Sequence, residues 1–197
     1  MNNSLHDYLR KLALSGTTMD FATIVFKYGE FTMYCLLGPK ENILHLTFAP
    51  EKHVSAQDQL SIINNGVCFT SLKQEESHLY TVFRDYFRGK LSRFPMKINS
   101  PFINRGTGFQ RRVWQHISTI PYGKCITYQE LAAMSGSPEG ARAAGRACGA
   151  NPLALVIPCH RVVAVNGLGG FAGGIAVKKS LLNLECSGSD LSKQSDS

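Results

Sequence analysis

The chain has 197 residues, of which 44% are hydrophobic and 18% are charged, so it can bury a core in one or two compact domains. It contains no run of eighteen apolar residues, and charged side chains interrupt residues 1–14, so we expect neither a membrane span nor a secretion signal. The net charge is +7, and residues 99–197 carry 10 Lys or Arg against 5 Asp or Glu. A basic half favours a polyanionic partner, although charge alone leaves nucleic acid at about even odds.

The first half of the chain is predicted to form strands followed by one helix. The segments whose apolar residues alternate as in strands are 21–26, 31–37 and 42–48, and a hairpin turn is predicted at 28–30. Residues 77–88 change to a helical period, and Gly89 is a candidate helix C-cap. We therefore expect residues 1–98 to form an N-terminal α/β domain.

The second half is predicted to be mostly helical. Residues 99–106 contain Pro, Gly and Asn and are predicted to be a linker loop. Residues 107–186 follow as a second domain, whose final helix covers 176–185. The Ser-rich tail over 187–197 is predicted to be disordered.

Two helices of this second domain are joined by a short turn. A capping box at 127–130 begins a helix that ends at Gly136, and a helix with a serine N-cap is predicted over 138–149. The second helix is made of small residues apart from Arg142 and Arg146, which lie on one face. A DNA-reading helix-turn-helix and a closely packed helix pair with two solvated arginines fit this pattern about equally well.

The six cysteines lie far apart, at positions 35, 68, 125, 148, 159 and 186. Their spacing matches no structural zinc site, so we expect free thiols in a reducing, cytoplasmic protein. Cys159 alone has a His neighbour, His160, which could serve as a base for a nucleophilic thiolate. By itself this pair favours a buried structural cysteine over a reactive one, because free Cys is among the most buried residue types.

The residues around this pair and in the rest of the second half change the interpretation of Cys159. Residues 157–163 read Ile-Pro-Cys-His-Arg-Val-Val, which resembles the signature of the O6-alkylguanine-DNA alkyltransferases, also called methylated-DNA–protein-cysteine methyltransferases. Further family-like motifs follow in order and at family-like spacing over residues 106–185: Phe109-Gln110, Val113-Trp114, Ile120-Pro121-Tyr122-Gly123, Thr127-Tyr128, Leu131-Ala132, Ala141-Arg142-Ala143, Asn151-Pro152, Gly173-Gly174 and Leu181-Leu182.

The resemblance implies an α+β fold with two domains. The N-terminal α/β domain would be ribonuclease H-like, and the C-terminal catalytic domain would be a mostly helical helix-turn-helix or winged-helix-like unit. The implied activity is direct-reversal DNA repair, in which one alkyl group moves irreversibly from O6-alkylguanine to the protein, with O4-alkylthymine as a second candidate substrate. The implied partner is double-stranded DNA carrying the lesion. We expect a monomer that needs no cofactor and no membrane and that works at the nucleoid, or in the nucleus of a eukaryote.

The resemblance also implies catalytic roles for matching residues. Cys159 would accept the alkyl group, and His160 would deprotonate its thiol through a water molecule. Glu185 would orient the imidazole, completing a Cys–water–His–Glu relay. Asn151 would hold its own turn and the active-site segment together, and Tyr128 would donate a hydrogen bond to the flipped guanine.

The residues that would contact DNA come from the small-residue helix and the segments around Cys159. Arg142 would enter the base stack as an arginine finger from the minor groove while the damaged base is flipped out. Ala141 would allow close approach to DNA, and Arg146 would also contact it. The carbonyl of Val162 would accept from the guanine amino group, and the amide near Ala172 would donate to O6.

Two departures from the family pattern stand out. The loop over 165–172 is about one residue short, with Phe171 where Tyr is frequent and Ala172 where Ser can occur, so tolerance of bulky alkyl groups is in question. The zinc ligands of some family members are not reproduced by Cys35, His45 and Cys68, so we expect no metal.

Three alternative functions remain at this point. Alkyltransferase-like proteins bind the lesion without repairing it, but they lack the acceptor cysteine that is present here as Cys159. A transcriptional regulator on the same helix-turn-helix would carry an additional Cys-rich domain, and residues 1–98 contain no such cluster. A cysteine hydrolase or thiol sensor would use Cys159 and His160 with no role for the basic half.

Overall fold

A computed structural model describes residues 20–38, 42–48, 68–71, 73, 75, 77–95 and 100–192. The fold of these residues is mixed α+β, with the larger sheet in the first half of the chain and most of the described helices in the second half. Four strands form the first sheet in the order β3-β2-β1-β4. These strands are β1 (Asp20–Tyr28), β2 (Phe31–Gly38), β3 (Asn42–Thr47) and β4 (Cys68–Ser71).

The predicted hairpin and third strand are confirmed. Strands β1 and β2 pair antiparallel, with Tyr28 opposite Phe31, and Gly29 in the turn between them has a φ of 54°. That backbone conformation favours glycine, as the two-residue turn of a hairpin requires. Strand β3 adds antiparallel to β2, and β4 adds parallel to β1.

One helix of the first half packs on this sheet. Helix α1 (Leu79–Phe87) buries Leu79, Phe83 and Tyr86, which lie on the face that the helical period predicts. Phe83 contacts Phe26 of β1 at 4.9 Å between ring centroids. The helix ends where Gly89 adopts a φ of 69°, so the glycine C-cap is confirmed. This packing fixes the position of Tyr86 relative to the rest of the molecule.

The predicted linker loop over 99–106 was wrong for most of its length. Helix α2 (Pro101–Arg105) occupies it, because Ser100 caps the backbone amide of Phe102 and proline suits the first helical position. The Ser100 hydroxyl also donates to the carbonyl of Leu44 at 2.6 Å, and Phe102 is buried. The segment is therefore attached to the sheet. Residues 96–99 lie outside the described part of the chain.

The second half contains four further helices and a two-stranded parallel sheet. These elements are α3 (Gly108–Ile117), β5 (Ile126–Thr127), α4 (Tyr128–Met134), α5 (Ala141–Gly149), β6 (Val162–Val163) and α6 (Ile175–Ser192). The predicted capping box at the start of α4, Thr127 with Glu130, is confirmed, and Thr107 with Gln110 forms a second capping box at the start of α3. Trp114 of α3 donates to the carbonyl of Ala147 at 2.9 Å, which fixes α5 against α3.

Two helix boundaries differ from the prediction. The helix predicted over 138–149 begins only at Ala141, because the backbone closes a turn in which the amide of Gly140 donates to the carbonyl of Ser137 at 2.8 Å. The tail predicted to be disordered from residue 187 continues α6 through Ser192. The Ser187 hydroxyl donates to the carbonyl of Asn183 one turn earlier, and serine lowers helix stability only slightly, so the helix continues. Residues 193–197 lie outside the described part.

The two halves share one hydrophobic core. The amide of Leu46 in β3 donates to the carbonyl of Pro152 at 2.9 Å, and the amide of Ala154 donates back to the carbonyl of Leu46 at 2.9 Å. Phe171 of the second half packs against Phe48 of the first. The backbone hydrogen bonds of Leu46 therefore attach the loop over 152–158 to the first sheet.

Within the described ranges, no helix is long and apolar enough to cross a membrane.

Candidate active site

Cys159 lies at the start of a 3₁₀ turn, Cys159–Arg161, directly before β6. Its side chain is buried, and the amide Nδ2 of Asn151 donates to Sγ at 3.2 Å. The same Nδ2 atom donates to the carbonyl of Ile157 at 2.7 Å, while Oδ1 accepts from the amide of Leu153 at 3.0 Å. Asn151 thus connects its own turn to the segment that carries Cys159.

The turn explains how adjacent residues can share one site. Side chains in a strand point to opposite faces, but a 3₁₀ helix has three residues per turn, so its neighbours diverge by about 120°. His160 is fully buried, and its Nε2 lies 2.8 Å from Oε1 of Glu185. Its Nδ1 is buried without a hydrogen-bond partner among the described residues. One nitrogen is therefore fixed by the carboxylate, and the other is left as the basic atom.

Glu185 is the centre of a buried polar network. Its Oε1 accepts from Nε2 of His160 at 2.8 Å, from Nη2 of Arg161 at 2.8 Å and from the hydroxyl of Tyr86 at 2.5 Å. Its Oε2 accepts from Nε of Arg161 at 2.8 Å and from the amide of Gly123 at 3.1 Å. Among the described residues, five donor atoms from Tyr86, Gly123 and the adjacent pair His160 and Arg161 surround this one carboxylate, which compensates for the cost of burying its charge.

The protonation states of this network follow from burial and pairing. Burial by itself raises the pKa of the Glu185 carboxyl, but hydrogen bonds and charge from His160 and Arg161 outweigh it and hold the pKa at about 2. Burial lowers the pKa of His160 more than the hydrogen bond and charge of Glu185 raise it. At neutral pH the pair is therefore an anionic carboxylate and a neutral imidazole, and the imidazole can accept a proton.

A buried lysine organises the other side of the site. Nζ of Lys178 donates to the carbonyl of Val162 at 2.6 Å and to that of Gly170 at 3.3 Å. It also lies 3.5 Å from the hydroxyl of Tyr128, which donates to the carbonyl of Gly170 at 3.1 Å. Burial raises the pKa of Tyr128 to about 12, so this phenol remains a hydrogen-bond donor. A Cβ atom at Gly169 would lie 2.6 Å from the Tyr128 ring, so this position needs glycine.

An open cleft of about 720 Å³ is lined in part by Cys159, and its volume is typical of a small-molecule site. Arg142 and Arg146 are exposed along one wall, which is helix α5. Of the predicted site residues, the cleft lining includes Cys159, Tyr128, Ala141, Arg142, Arg146 and Ala172. The lining does not include the remaining predicted residues, which are Asn151, His160, Val162 and Glu185. Asn151 contacts Sγ of Cys159 directly, and His160 and Glu185 form a buried pair.

Sequence reasoning missed several residues of the site. Lys178, Leu181 and Glu185 are spaced by three and four positions, so two charged residues share a helix face with a buried leucine. This spacing predicts that the charged side chains of Lys178 and Glu185 are buried. The sequence presents Arg161 only as part of the motif at 157–163, and it presents Cys148, which lines the cleft, only as one of six cysteines. Tyr86 belongs to an apolar helix face in the first half and gave no chemical signal.

Within the described part of the chain, no group of three or more His, Cys, Asp or Glu side chains is arranged to hold a metal ion. Cys35 is buried in β2, inside the sheet core. The side chain of Cys68 lies outside the described residues.

Residues 108–187 match the family model described as 6-O-methylguanine DNA methyltransferase, DNA binding domain. A methylated-DNA–protein-cysteine methyltransferase from Methanosarcina acetivorans is 46% identical over 152 residues, which are 76% of this chain and 89% of the relative. The protein of that name from Mycobacterium tuberculosis is 48% identical over 101 residues, or 51% of this chain, and the match spans 59% of the mycobacterial protein.

The fold is also similar to solved structures. The crystal structure of the Mycobacterium tuberculosis O6-methylguanine methyltransferase has a TM-score of 0.68 and 32% identity, covering 85% of this chain and 93% of that one. A structure of the mycobacterial protein in complex with DNA has a TM-score of 0.66 and 31% identity, covering 86% and 94%. The family resemblance and the mixed α+β fold are thus confirmed. The chain belongs to the methylated-DNA–protein-cysteine methyltransferase family.

Proposed function

We propose that this protein repairs alkylated DNA by moving one alkyl group from O6-alkylguanine in a duplex to its own Cys159. The observation that carries the proposal is the position of Cys159 in the lining of an open cleft of about 720 Å³, directly before His160 of a buried His160–Glu185 pair. The reaction ends with a thioether, which is stable to hydrolysis, so each molecule acts once. O4-alkylthymine is a second substrate to test.

The chemical step is a displacement at the alkyl carbon. Nδ1 of His160 takes the thiol proton through a water molecule, and the thiolate sulfur attacks the carbon. The S–C bond forms as the O6–C bond breaks, and the electron pair of the broken bond stays on guanine. The base then gains a proton, so the net reaction moves the thiol proton to guanine. The hydroxyl of Tyr128 donates a hydrogen bond to the departing base and stabilises its developing charge.

Two residues hold the nucleophile and its base in place. Asn151 donates to Sγ of Cys159 and to the backbone beside it, which supports a role in fixing the direction of attack. The Glu185 carboxylate accepts from Nε2 of His160, which keeps the proton on that nitrogen and leaves Nδ1 as the base. These roles match the relay that the family resemblance implies.

The substrate base must leave the duplex to reach Cys159, since the cysteine is buried and a base inside the stack cannot reach it. Helices α4 and α5 would act as a helix-turn-helix, with Arg142 entering the stack and Arg146 contacting the phosphate backbone. Ala141 would permit close approach to the minor groove. The carbonyl of Val162 has a second lone pair besides the one that faces Lys178, which it would offer to the guanine amino group, and the amide near Ala172 would donate to O6.

The domain roles follow from this mechanism. Residues 107–186 would form the catalytic, DNA-binding unit, and residues 1–98 would form a ribonuclease H-like domain that supports it. We propose a monomer that needs no cofactor and acts where its DNA lies, in the nucleoid or in the nucleus of a eukaryote.

Intact-mass measurement tests the proposal directly. The protein is incubated with an equimolar duplex carrying O6-methylguanine, and its mass is recorded before and after. We expect a gain of one methyl group on Cys159 and no further turnover with excess duplex. An unmodified protein would contradict alkyl transfer, and continued consumption of the lesion would identify a hydrolase instead.

A further inference from the structure

Tyr86 is a residue of the first half that reaches the catalytic network of the second. It lies on α1 and is fully buried. Its hydroxyl donates to Oε1 of Glu185 at 2.5 Å, across a sequence separation of 99 residues. The first half therefore contributes a polar group to the site in addition to apolar packing.

Ring contacts hold the Tyr86 hydroxyl in place. The ring stacks on Phe94 with centroids 5.0 Å apart and meets Phe87 and Tyr122 edge to face at 5.4 Å and 5.9 Å. Since α1 is packed on the sheet through Phe83, the phenol has little freedom to turn away from Glu185. A buried donor held in this way fixes the orientation of its acceptor and also forms a hydrogen bond with it.

The oxygen that Tyr86 contacts is the one that faces His160. Oε1 of Glu185 accepts from both side chains, at 2.5 Å and 2.8 Å. A carboxylate rotates easily about its last torsion unless donors fix both of its oxygens. We propose that Tyr86 is a positioning residue for alkyl transfer, which holds Oε1 of Glu185 where it can orient the imidazole. This inference rests on the proposed function.

The phenol is suited to this role because it stays protonated. Burial, and then the negative charge of Glu185, raise the pKa of Tyr86 well above its usual value of 10. The hydroxyl is consequently a donor throughout the pH range in which the protein would work. A phenylalanine would keep the ring contacts and remove only the hydrogen bond.

The test compares Tyr86→Phe with the matched control Tyr28→Phe. Tyr28 belongs to the same half and its hydroxyl donates to the carbonyl of Tyr80 at 2.5 Å, away from the relay. Two rates are measured at a temperature where melting curves show each variant folded: methyl transfer from an O6-methylguanine duplex, and alkylation of Cys159 by iodoacetamide as a function of pH. The second reaction needs no DNA and reports on thiol activation alone.

We expect Tyr86→Phe to slow methyl transfer about tenfold, a fraction of the roughly 10²–10⁴-fold that a well-placed proton acceptor contributes. The midpoint of its iodoacetamide pH–rate profile should move to higher pH, while Tyr28→Phe should match the wild type in both rates. A Tyr86→Phe protein with the wild-type rate and profile would overturn the inference. A slower rate with an unmoved pH profile would also overturn it, because it would indicate a structural role only.

A double-mutant comparison supplies the second measurement. If Tyr86 acts through Glu185, adding Tyr86→Phe to Glu185→Gln should not slow Cys159 alkylation further, whereas additive losses would contradict the inference. The two proposals also fail differently. A wild-type protein that reacts with iodoacetamide but takes no methyl group from the duplex would refute the proposed function, whereas equal rates for wild type and Tyr86→Phe refute only the role of Tyr86.

Discussion

Nε2 of His160 lies 2.8 Å from Oε1 of Glu185, and both side chains are completely buried. Because the carboxylate is anionic, Nε2 carries the proton of the neutral ring and Nδ1 carries the lone pair. That Nδ1 atom has no hydrogen-bond partner within the described residues. This arrangement leaves Nδ1 as the ring atom of His160 that can accept a proton.

Replacement of the nucleophile should separate binding from chemistry. Cys159→Ala removes the acceptor sulfur but none of the exposed arginines, so we expect lesion-containing duplex to bind as in the wild type with no gain of mass. Cys125→Ala, which removes an exposed thiol, is the control and should gain one methyl group. Gel-shift and intact-mass measurements on both variants check this. A methylated Cys159→Ala protein would mean that another residue is the acceptor.

Neutralising Glu185 should destabilise the fold. Glu185→Gln leaves the buried Arg161 guanidinium without its anionic partner, and a broken buried ion pair costs about 3–5 kcal/mol. Urea unfolding followed by circular dichroism measures the loss. Glu139→Gln, at an exposed carboxylate, should change the free energy of unfolding by less than about 0.5 kcal/mol. Equal stability of the two variants would show that the Glu185 network contributes little to folding.

The same carboxylate should make the protein sensitive to acid. The pKa of Glu185 falls from its ordinary value of 4.5 to about 2 on folding, so its contribution to stability is present above pH 4.5 and is lost as the pH falls towards 2. The linked free energy is about 3 kcal/mol. Unfolding measured between pH 6 and pH 2 should show this decline in the wild type but not in Glu185→Gln. Parallel pH curves for the two proteins would contradict the assignment.

Much of the fold was predictable because local signals agreed with it. The hairpin at Gly29 and the capping boxes at Thr107 and Thr127 depend on residues within four positions of one another. The short helix at Pro101–Arg105 was missed because its stability comes from Leu44 and from the burial of Phe102, which a local pattern does not contain. The formation of this helix therefore depends on contacts between residues that are far apart in the sequence.

The candidate site, like the fold, contains some residues that the sequence predicts and others that it does not. The predicted roles of Cys159 and His160 depend on the family resemblance over residues 106–185, and the Glu185 network joins four distant segments. Tyr86 reads as an ordinary core aromatic until the fold places its hydroxyl on that carboxylate. Helical spacing could have identified Lys178 as a buried charge, since it lies in line with Glu185. The contact from Tyr86 was not predictable, because the sequence does not specify how the two halves pack.

Arg142 offers a test of base flipping. Arg142→Ala removes the side chain that would fill the space left by the flipped base, so methyl transfer should slow by about tenfold or more on a fully paired duplex. The loss should be smaller when the lesion lies opposite a mismatched base, which costs less to unstack. Arg88→Ala, at an exposed arginine of the first half, is the charge-matched control. Single-turnover rates of methyl transfer on both duplexes measure this effect. An unchanged rate on the paired duplex would show that Arg142 has no part in base flipping.

Arg146 should contribute to DNA affinity through charge. It is exposed one helical turn after Arg142 on the cleft wall, where a phosphate contact would release about one counterion. Binding of undamaged duplex should weaken as salt increases, and Arg146→Ala should reduce the slope of log K against log salt by about 0.9. Arg88→Ala should leave the slope unchanged. Fluorescence anisotropy over a salt series measures these slopes. A wild-type affinity that does not depend on salt would refute phosphate contacts, and an unchanged slope in Arg146→Ala would place this side chain away from the backbone of the bound DNA.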